Sequence, residues 1–379
     1  MNTLLLAVAV ALLVVLAALL VRQERETLPE QSEDDARITP LVRGINYLLA
    51  DEPDRALQEL VQVARLRSEA ADVYMALGEM FRSRGEIGRA VRIHQNLLAR
   101  PDLPSSIHLQ AHLALARDFQ AGGLLDRALK QFEKAIAIQP DHAEALEACL
   151  RIREQSSEWL LAEELLSRLD QVRGQSSNSH RAYLFAEMAR KNLDEDVAEE
   201  ARHYAVKALA LDDACAPAYI VLATLDLMQG QTEEARVLVR TLWEKAPEHF
   251  PLVIPMLIEH MDFYITQGKA MLIECWQEKR SEELALAWLE DVRNMQGKKE
   301  AGALLKELGF NAGNLRASLR LAAAAGSDDD SLDRYAEQWR SKVKNFACEQ
   351  CGVEVVEMRW QCPQCHTWGG MHPKRDGEL

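Results

Sequence analysis

The spacing of hydrophobic and polar positions changes twice along this chain. Residues 3–21, TLLLAVAVALLVVLAALLV, carry no charge over 19 consecutive positions. As a helix rising 1.5 Å per residue this stretch covers about 28 Å, the hydrocarbon thickness of a bilayer. A cleaved signal peptide has a basic start, a shorter apolar core and a small-residue cleavage site. Here only Met1 and Asn2 precede the run, and RQERE follows it directly. The pattern therefore predicts an uncleaved transmembrane anchor over 1–21. Residues 22–36, RQERETLPEQSEDDA, are charged and hold one proline, which predicts a linker. From residue 37 apolar positions recur at helical spacing almost to the end.

Within that helical region the small and aromatic positions repeat. One stretch has Gly44, Tyr47 and Ala56, a second Leu77, Gly78, Phe81, Gly85 and Ala90, a third Leu115, Ala116, Phe119, Gly123, Ala128, Phe132, Ala135 and Pro140. Ala56 and Ala90 are 34 residues apart; Ala128 follows 38 later, the extra four falling in the turn PDLPSS. Ala162 lies 34 beyond Ala128 in a fainter copy, and Ala201 and Ala235 are again 34 apart, with Gly230 and Pro247 in matching places. This pattern resembles the tetratricopeptide repeat family, with about six units over 37–249. Small residues such as Gly78 and Ala90 let the two helices of a unit approach. Large ones such as Tyr74, Phe81 and Phe132 fill the space between units, and Pro140 and Pro247 end helix B. One unit cannot bury its apolar face, but a stack can. The fold class expected is all-α: a solenoid of repeats behind a transmembrane helix.

Residues 250–345 keep the helical period without repeat marks and predict further helical hairpins. LVIPMLI (252–258) is too short to span a membrane and contains Pro255, so it reads as the start of a buried helix. GSDDD (326–330) reads as a turn, and Leu332, Tyr335, Ala336, Trp339 and Val343 mark one face of a last helix.

The period breaks at CEQCGVEVVEMRWQCPQCHTW, residues 348–368, which hold four of the seven cysteines. They form two C-x-x-C pairs, Cys348/Cys351 and Cys362/Cys365. Each pair makes a tight knuckle that points two sulfurs at one centre. Gly352 and Pro363 suit such turns, and VEVVEMRW can form a short strand. Four thiolates make a closed tetrahedral site for zinc or iron, and the spacing does not choose between them. The expected module over 346–379 is small, β and metal-binding, with Trp360 and Trp368 shielding the ion. A pair of disulfides is the competing reading. It requires an oxidising compartment, whereas Arg22 and Arg25 after the anchor favour a cytoplasmic body.

Charge and composition narrow the function. The formal charge is −15, and residues 342–379 hold five Lys/Arg against five Asp/Glu. Neither the chain nor the module offers the basic footprint of a nucleic-acid binder. Cys149, Cys215 and Cys275 are isolated in helical stretches and read as buried packing. His108 and His112 sit four apart in HLQAH, but a zincin needs H-E-x-x-H and position 109 is Leu. No P-loop, G-x-S-x-G or G-x-G-x-x-G is present. No catalytic residue is expected, and the chain reads as a binding protein rather than an enzyme.

The order of parts resembles the lipopolysaccharide assembly protein B family of Gram-negative bacteria. GINYLLADEPDRALQEL (44–60), FRSRGEIGRAVRIHQNLLARPDLP (81–104) and the cysteine-rich ending carry the likeness. The resemblance implies a single-pass inner-membrane protein whose bulk is cytoplasmic and which regulates lipopolysaccharide synthesis. It implies FtsH protease, the lipid A deacetylase LpxC and other lipopolysaccharide-assembly membrane proteins as partners, the chain promoting destruction of LpxC by FtsH. It also implies iron at a rubredoxin-like site made of Cys348, Cys351, Cys362 and Cys365. Two readings compete: an electron carrier with a redox-active iron, and a general scaffold for envelope enzymes.

Overall fold

A computed structural model describes most of residues 71–307 and 346–373, together with scattered positions between 42 and 59. The apolar stretch 3–21, the linker and the face marked by Leu332, Tyr335 and Trp339 lie outside the described residues. Among the described residues no helix is long and apolar enough to cross a membrane.

Five helical hairpins follow one another: α1 (Ala71–Ser83) with α2 (Ile87–Leu98), α3 (Ser105–Ala121) with α4 (Leu125–Ile138), α5 (Ala143–Gln155) with α6 (Trp159–Arg173), α7 (Asn178–Asp194) with α8 (Ala198–Leu211), and α9 (Ala216–Met228) with α10 (Thr232–Lys245). The repeat alanines Ala56, Ala90, Ala128, Ala162, Ala201 and Ala235 are all wholly buried. A side chain of one carbon is what allows helix B to lie against helix A there. Gly78 serves the same end in α1, because a Cβ at this position would meet the His94 ring at 2.3 Å. Phe81 and Phe132 are buried, as their place between units requires.

The turn inside each hairpin has one geometry. The residue five before the repeat alanine is left-handed in all five: Gly85 (φ 79°), Gly123 (71°), Ser157 (56°), Asp196 (59°) and Gly230 (75°). The next amide donates back to a carbonyl five residues earlier, Glu86 to Phe81, Leu124 to Phe119, Glu158 to Arg153, Val197 to Asn192 and Gln231 to Asp226, at 2.8–2.9 Å. This is the Schellman closure, which satisfies the last carbonyls of helix A. The fainter copy at 143–176 is thus a full hairpin whose turn glycine has been replaced by Ser157.

By contact the chain divides into two units, residues 1–145 and 146–379. The second continues past α10 with a 3₁₀ turn (Phe250–Val253) and α11 (Ile254–Glu259), whose Ile254, Leu257 and Ile258 are buried as LVIPMLI predicts. A short turn (Met261–Phe263) and a π-helical turn (Tyr264–Gly268) lead into α12 (Lys269–Lys279), α13 (Glu282–Gln296) and α14 (Lys298–Glu307). Trp288, wholly buried, donates its Nε1 hydrogen to Tyr264 Oη at 2.9 Å and ties α13 to the π turn. The chain ends in a three-stranded antiparallel sheet of order β2-β1-β3, with β1 (Phe346–Cys348), β2 (Glu354–Val355) and β3 (Met371–Pro373). Phe346 is opposite Val355 on one side and Pro373 on the other.

Candidate metal centre

Two knuckles of matching form build the site. In the first, Gly352 donates its amide to the Cys348 carbonyl at 2.8 Å; in the second, His366 donates to the Cys362 carbonyl at 3.0 Å. Gly352 and His366 each follow the second cysteine of their pair, and both are left-handed, at φ 71° and 60°. The sequence marks this turn only where it carries glycine. The Cys348 amide then donates to Val353 and the Cys362 amide to Thr367, both at 2.9 Å, closing each loop on its strand.

This folding brings Cys348, Cys351, Cys362 and Cys365 together with all four sulfurs within 4.8 Å of one another. Cys348 Sγ is 3.6 Å from Cys365 Sγ, and Cys351 Sγ is 3.6 Å from Cys362 Sγ. A disulfide has a bond of about 2.05 Å, so these are thiols, not bridges. Sulfurs at about 2.3 Å from a shared ion lie about 3.8 Å apart in a tetrahedron, so the set fits one ion with little movement. All four positions of that tetrahedron are filled by protein, as in structural rather than catalytic sites.

The surroundings favour thiolate unevenly. The Thr367 hydroxyl, 3.3 Å from Cys365 Sγ, and the Thr367 amide pull the exposed Cys365 thiol down to about 6. At Cys351 the Val353 amide favours the thiolate, yet desolvation and the neighbouring sulfurs push the thiol up to about 12. Burial raises Cys348 as well. Amides of Gln364 and Cys365 point at Cys362 Sγ at 3.4 and 3.5 Å. A bound cation would replace the missing protons and balance this charge.

The tryptophans differ from expectation. Shielding of the sulfurs comes from Met371 with Phe346, Val353, Val355 and Met358. Trp360 and Trp368 instead face the repeats; they flank the second knuckle, where Gln361 bridges Trp368 and the Gly369 amide donates to the Trp360 carbonyl at 2.7 Å. Trp368 stacks on Tyr183 (centroids 5.8 Å, planes 23° apart) and meets Trp159 edge-on at 6.0 Å. Trp360 sits 6.2 Å from Tyr183 and 5.3 Å from His249. Under them lies the buried carboxylate of Glu154, which accepts from Trp368 Nε1 at 3.2 Å and Gln361 Nε2 at 2.8 Å and pairs with His180 Nε2 at 2.5 Å. His249 Nε2 donates to the Met371 carbonyl at 3.2 Å. The module is therefore seated on α5, α6, α7 and the turn after α10. Glu154, His180, Tyr183 and His249 escape sequence reading because only the fold brings them to residues some 120 to 210 positions away.

Other candidates stay apart. Cys149, Cys215 and Cys275 are buried single thiols, and burial pushes Cys215 up to about 12 and Cys275 to about 11. His112 Nδ1 is bonded to Gln131 Oε1 at 2.9 Å, and burial lowers its affinity for protons. Among the described residues the four terminal cysteines are the group able to hold a metal.

Residues 346–373 match a family model described as a rubredoxin metal binding domain, and residues 192–254 match one for the tetratricopeptide repeat. The protein named lipopolysaccharide assembly protein B of Haemophilus influenzae is 27% identical over 358 residues, covering 89% of this chain and 90% of that protein. Its namesake in Escherichia coli K12 is 26% identical over 361 residues, covering 91% and 92%. Among solved structures, the crystal structure of MamA matches 48% of this chain and 95% of its own at 18% identity, with a TM-score of 0.33. Through its repeats, its terminal metal-binding domain and these relatives, the chain's resemblance to the lipopolysaccharide assembly protein B family is shown.

Proposed function

We propose that this chain regulates lipopolysaccharide assembly as a membrane-tethered adaptor at the inner membrane. It brings LpxC to FtsH and so lowers lipid A synthesis without catalysing a reaction. The observation that supports this reading is the similarity of about nine tenths of the chain to proteins named lipopolysaccharide assembly protein B. A stack of repeats offers an extended surface for a protein partner. An anchor at 1–21 would hold that surface beside a membrane protease and raise the effective concentration of each weakly bound partner. One ion, iron or zinc, bound by Cys348, Cys351, Cys362 and Cys365 would lock the terminal module in its seat.

Two deletions test the reading, one removing residues 1–21 and the other everything from 346 on. Each should lengthen the cellular half-life of LpxC and raise its level. An unchanged half-life when the whole gene is deleted would refute the adaptor and leave the electron-carrier or scaffold readings. A phosphatase reporter fused after residue 379 should be inactive; activity would place the body on the other side of the membrane.

A further inference from the structure

One position of helix B next to the buried alanine repeats in the first three units. In the first three units the residue just before that alanine is an arginine: Arg55, Arg89 and Arg127. Each guanidinium lies over the aromatic ring eight positions earlier, Arg55 over Tyr47 at 5.9 Å, Arg89 over Phe81 at 5.7 Å and Arg127 over Phe119 at 5.8 Å. Stacking on a ring holds the charge at a fixed place and leaves the guanidinium edge able to donate. Three and seven positions further on, the same helical stripe carries Arg92 in the second unit and Lys130 and Lys134 in the third, all exposed. Glu52 pairs with Arg55 and Glu86 with Arg89, which tempers two rungs. Before Arg127 the corresponding residue is Leu124, exposed by 45%.

The later units keep only its outer position, where Arg168 and Lys207 stand as Lys134 does, and lose its head. There the position before the alanine is Leu161, Glu200 and Glu234. Within a chain of net charge −15, the full set of stacked and trailing cations is found in the units that follow the apolar segment 3–21, with Asp126 and Glu133 beside it in the third.

We propose that this stripe is a docking surface for anionic lipid headgroups, holding the first three repeats against the membrane face. The inference rests on the reading of 3–21 as a membrane anchor. The 15 residues of 22–36 reach at most about 50 Å when fully extended, so the repeats that begin at residue 37 are tethered within that reach of the membrane. Juxtamembrane cations are drawn to the negative surface of a cytoplasmic leaflet, and glutamates in the same place are repelled. Leu124 gives the rung at Arg127 an apolar group able to enter the interface.

The test places the full chain in nanodiscs of phosphatidylcholine, with and without added phosphatidylglycerol. Hydrogen exchange of the segments 86–98 and 124–137 should slow several-fold only in the anionic discs. The slowing should vanish at about 0.5 M salt, where the Debye length is only a few Å. The triple variant Arg92→Glu, Lys130→Glu, Lys134→Glu should lose the slowing while its unfolding midpoint stays unchanged. Equal exchange in both discs would overturn the proposal, as would slowing produced by an acidic protein but not by lipid. Insertion is read separately, as chain retained on the discs after a high-salt wash. If nothing inserts, the anchor reading fails, and flotation of the chain with phosphatidylglycerol vesicles decides the stripe: flotation lost on charge reversal supports it, and no flotation overturns it.

Discussion

Glu154 is the residue that ties the terminal module to the repeats. Its side chain is 2% exposed and meets Trp368, Gln361 and His180 together. Replacing it with Ala would remove the acceptor these half-buried donors share, at a cost of about 1–3 kcal/mol to the seated module. We expect Glu154→Ala to speed hydrogen exchange over 346–373 while the zinc or iron content matches that of the unsubstituted chain; Glu154→Gln, which keeps one acceptor, should do so less. Gly369 sets a steric limit at the same seat, since a Cβ there would stand 2.5 Å from Tyr183 Oη at a backbone φ of 66°. Gly369→Ala should therefore unseat the module, read as a change in tryptophan fluorescence. His249 adds a pH dependence. Burial lowers its proton affinity, although the Met371 carbonyl and Glu248 oppose this. An imidazole with a depressed folded pKa binds fewer protons when folded than when unfolded. Its contribution is thus complete above about pH 6.5 and is lost as the pH falls through that value toward the lower folded one. The seat should loosen over that window, and His249→Gln should flatten the slope of stability against pH.

At the scale of the helix pair, the turn inside each hairpin shows what a sequence can and cannot disclose. Where the left-handed position is glycine, at Gly85, Gly123 and Gly230, the repeat is plain to read. Where it is Ser157 or Asp196 the backbone is the same but the mark is gone. The fold persists because the buried alanine and the amide bond five residues back specify the turn independently of glycine. A left-handed backbone costs an L-residue about 1–2 kcal/mol, part of which glycine returns through its freer unfolded chain. Ser157→Gly should then stabilise the second unit by up to about 1 kcal/mol, and Gly123→Ala should destabilise the first by about 1 kcal/mol, both measured by chemical denaturation. The four cysteines were legible for the opposite reason: a metal fixes residue type and spacing together. The residues of the seat were not, because a Glu or a Tyr on a helix has the same local pattern whether it faces water or a neighbouring module.

For the molecule as a whole, the two knuckles are attached to different things. The second, Cys362 and Cys365, stands between Trp360–Gln361 and Trp368–Gly369, all of which touch the repeats. The first, Cys348 and Cys351, is held within the module, by Glu349 donating its amide to Gly370 at 2.9 Å and by the pairing of Cys348 with Met371. Sulfurs of opposite knuckles are the ones 3.6 Å apart, so an ion held by all four would join the first knuckle to the second. In a four-thiolate site the binding energy is folding energy for whatever the ion joins. Removing the metal with a chelator, or with Cys348→Ser and Cys351→Ser, should therefore act unequally. Exchange over 346–355 should rise steeply, exchange over 360–369 should rise less, and the helical circular dichroism of the repeats should not change. If both knuckles loosen alike while the helices persist, the seat on Glu154 and Tyr183 contributes nothing without the ion, and the metal rather than the tryptophans holds the module in place.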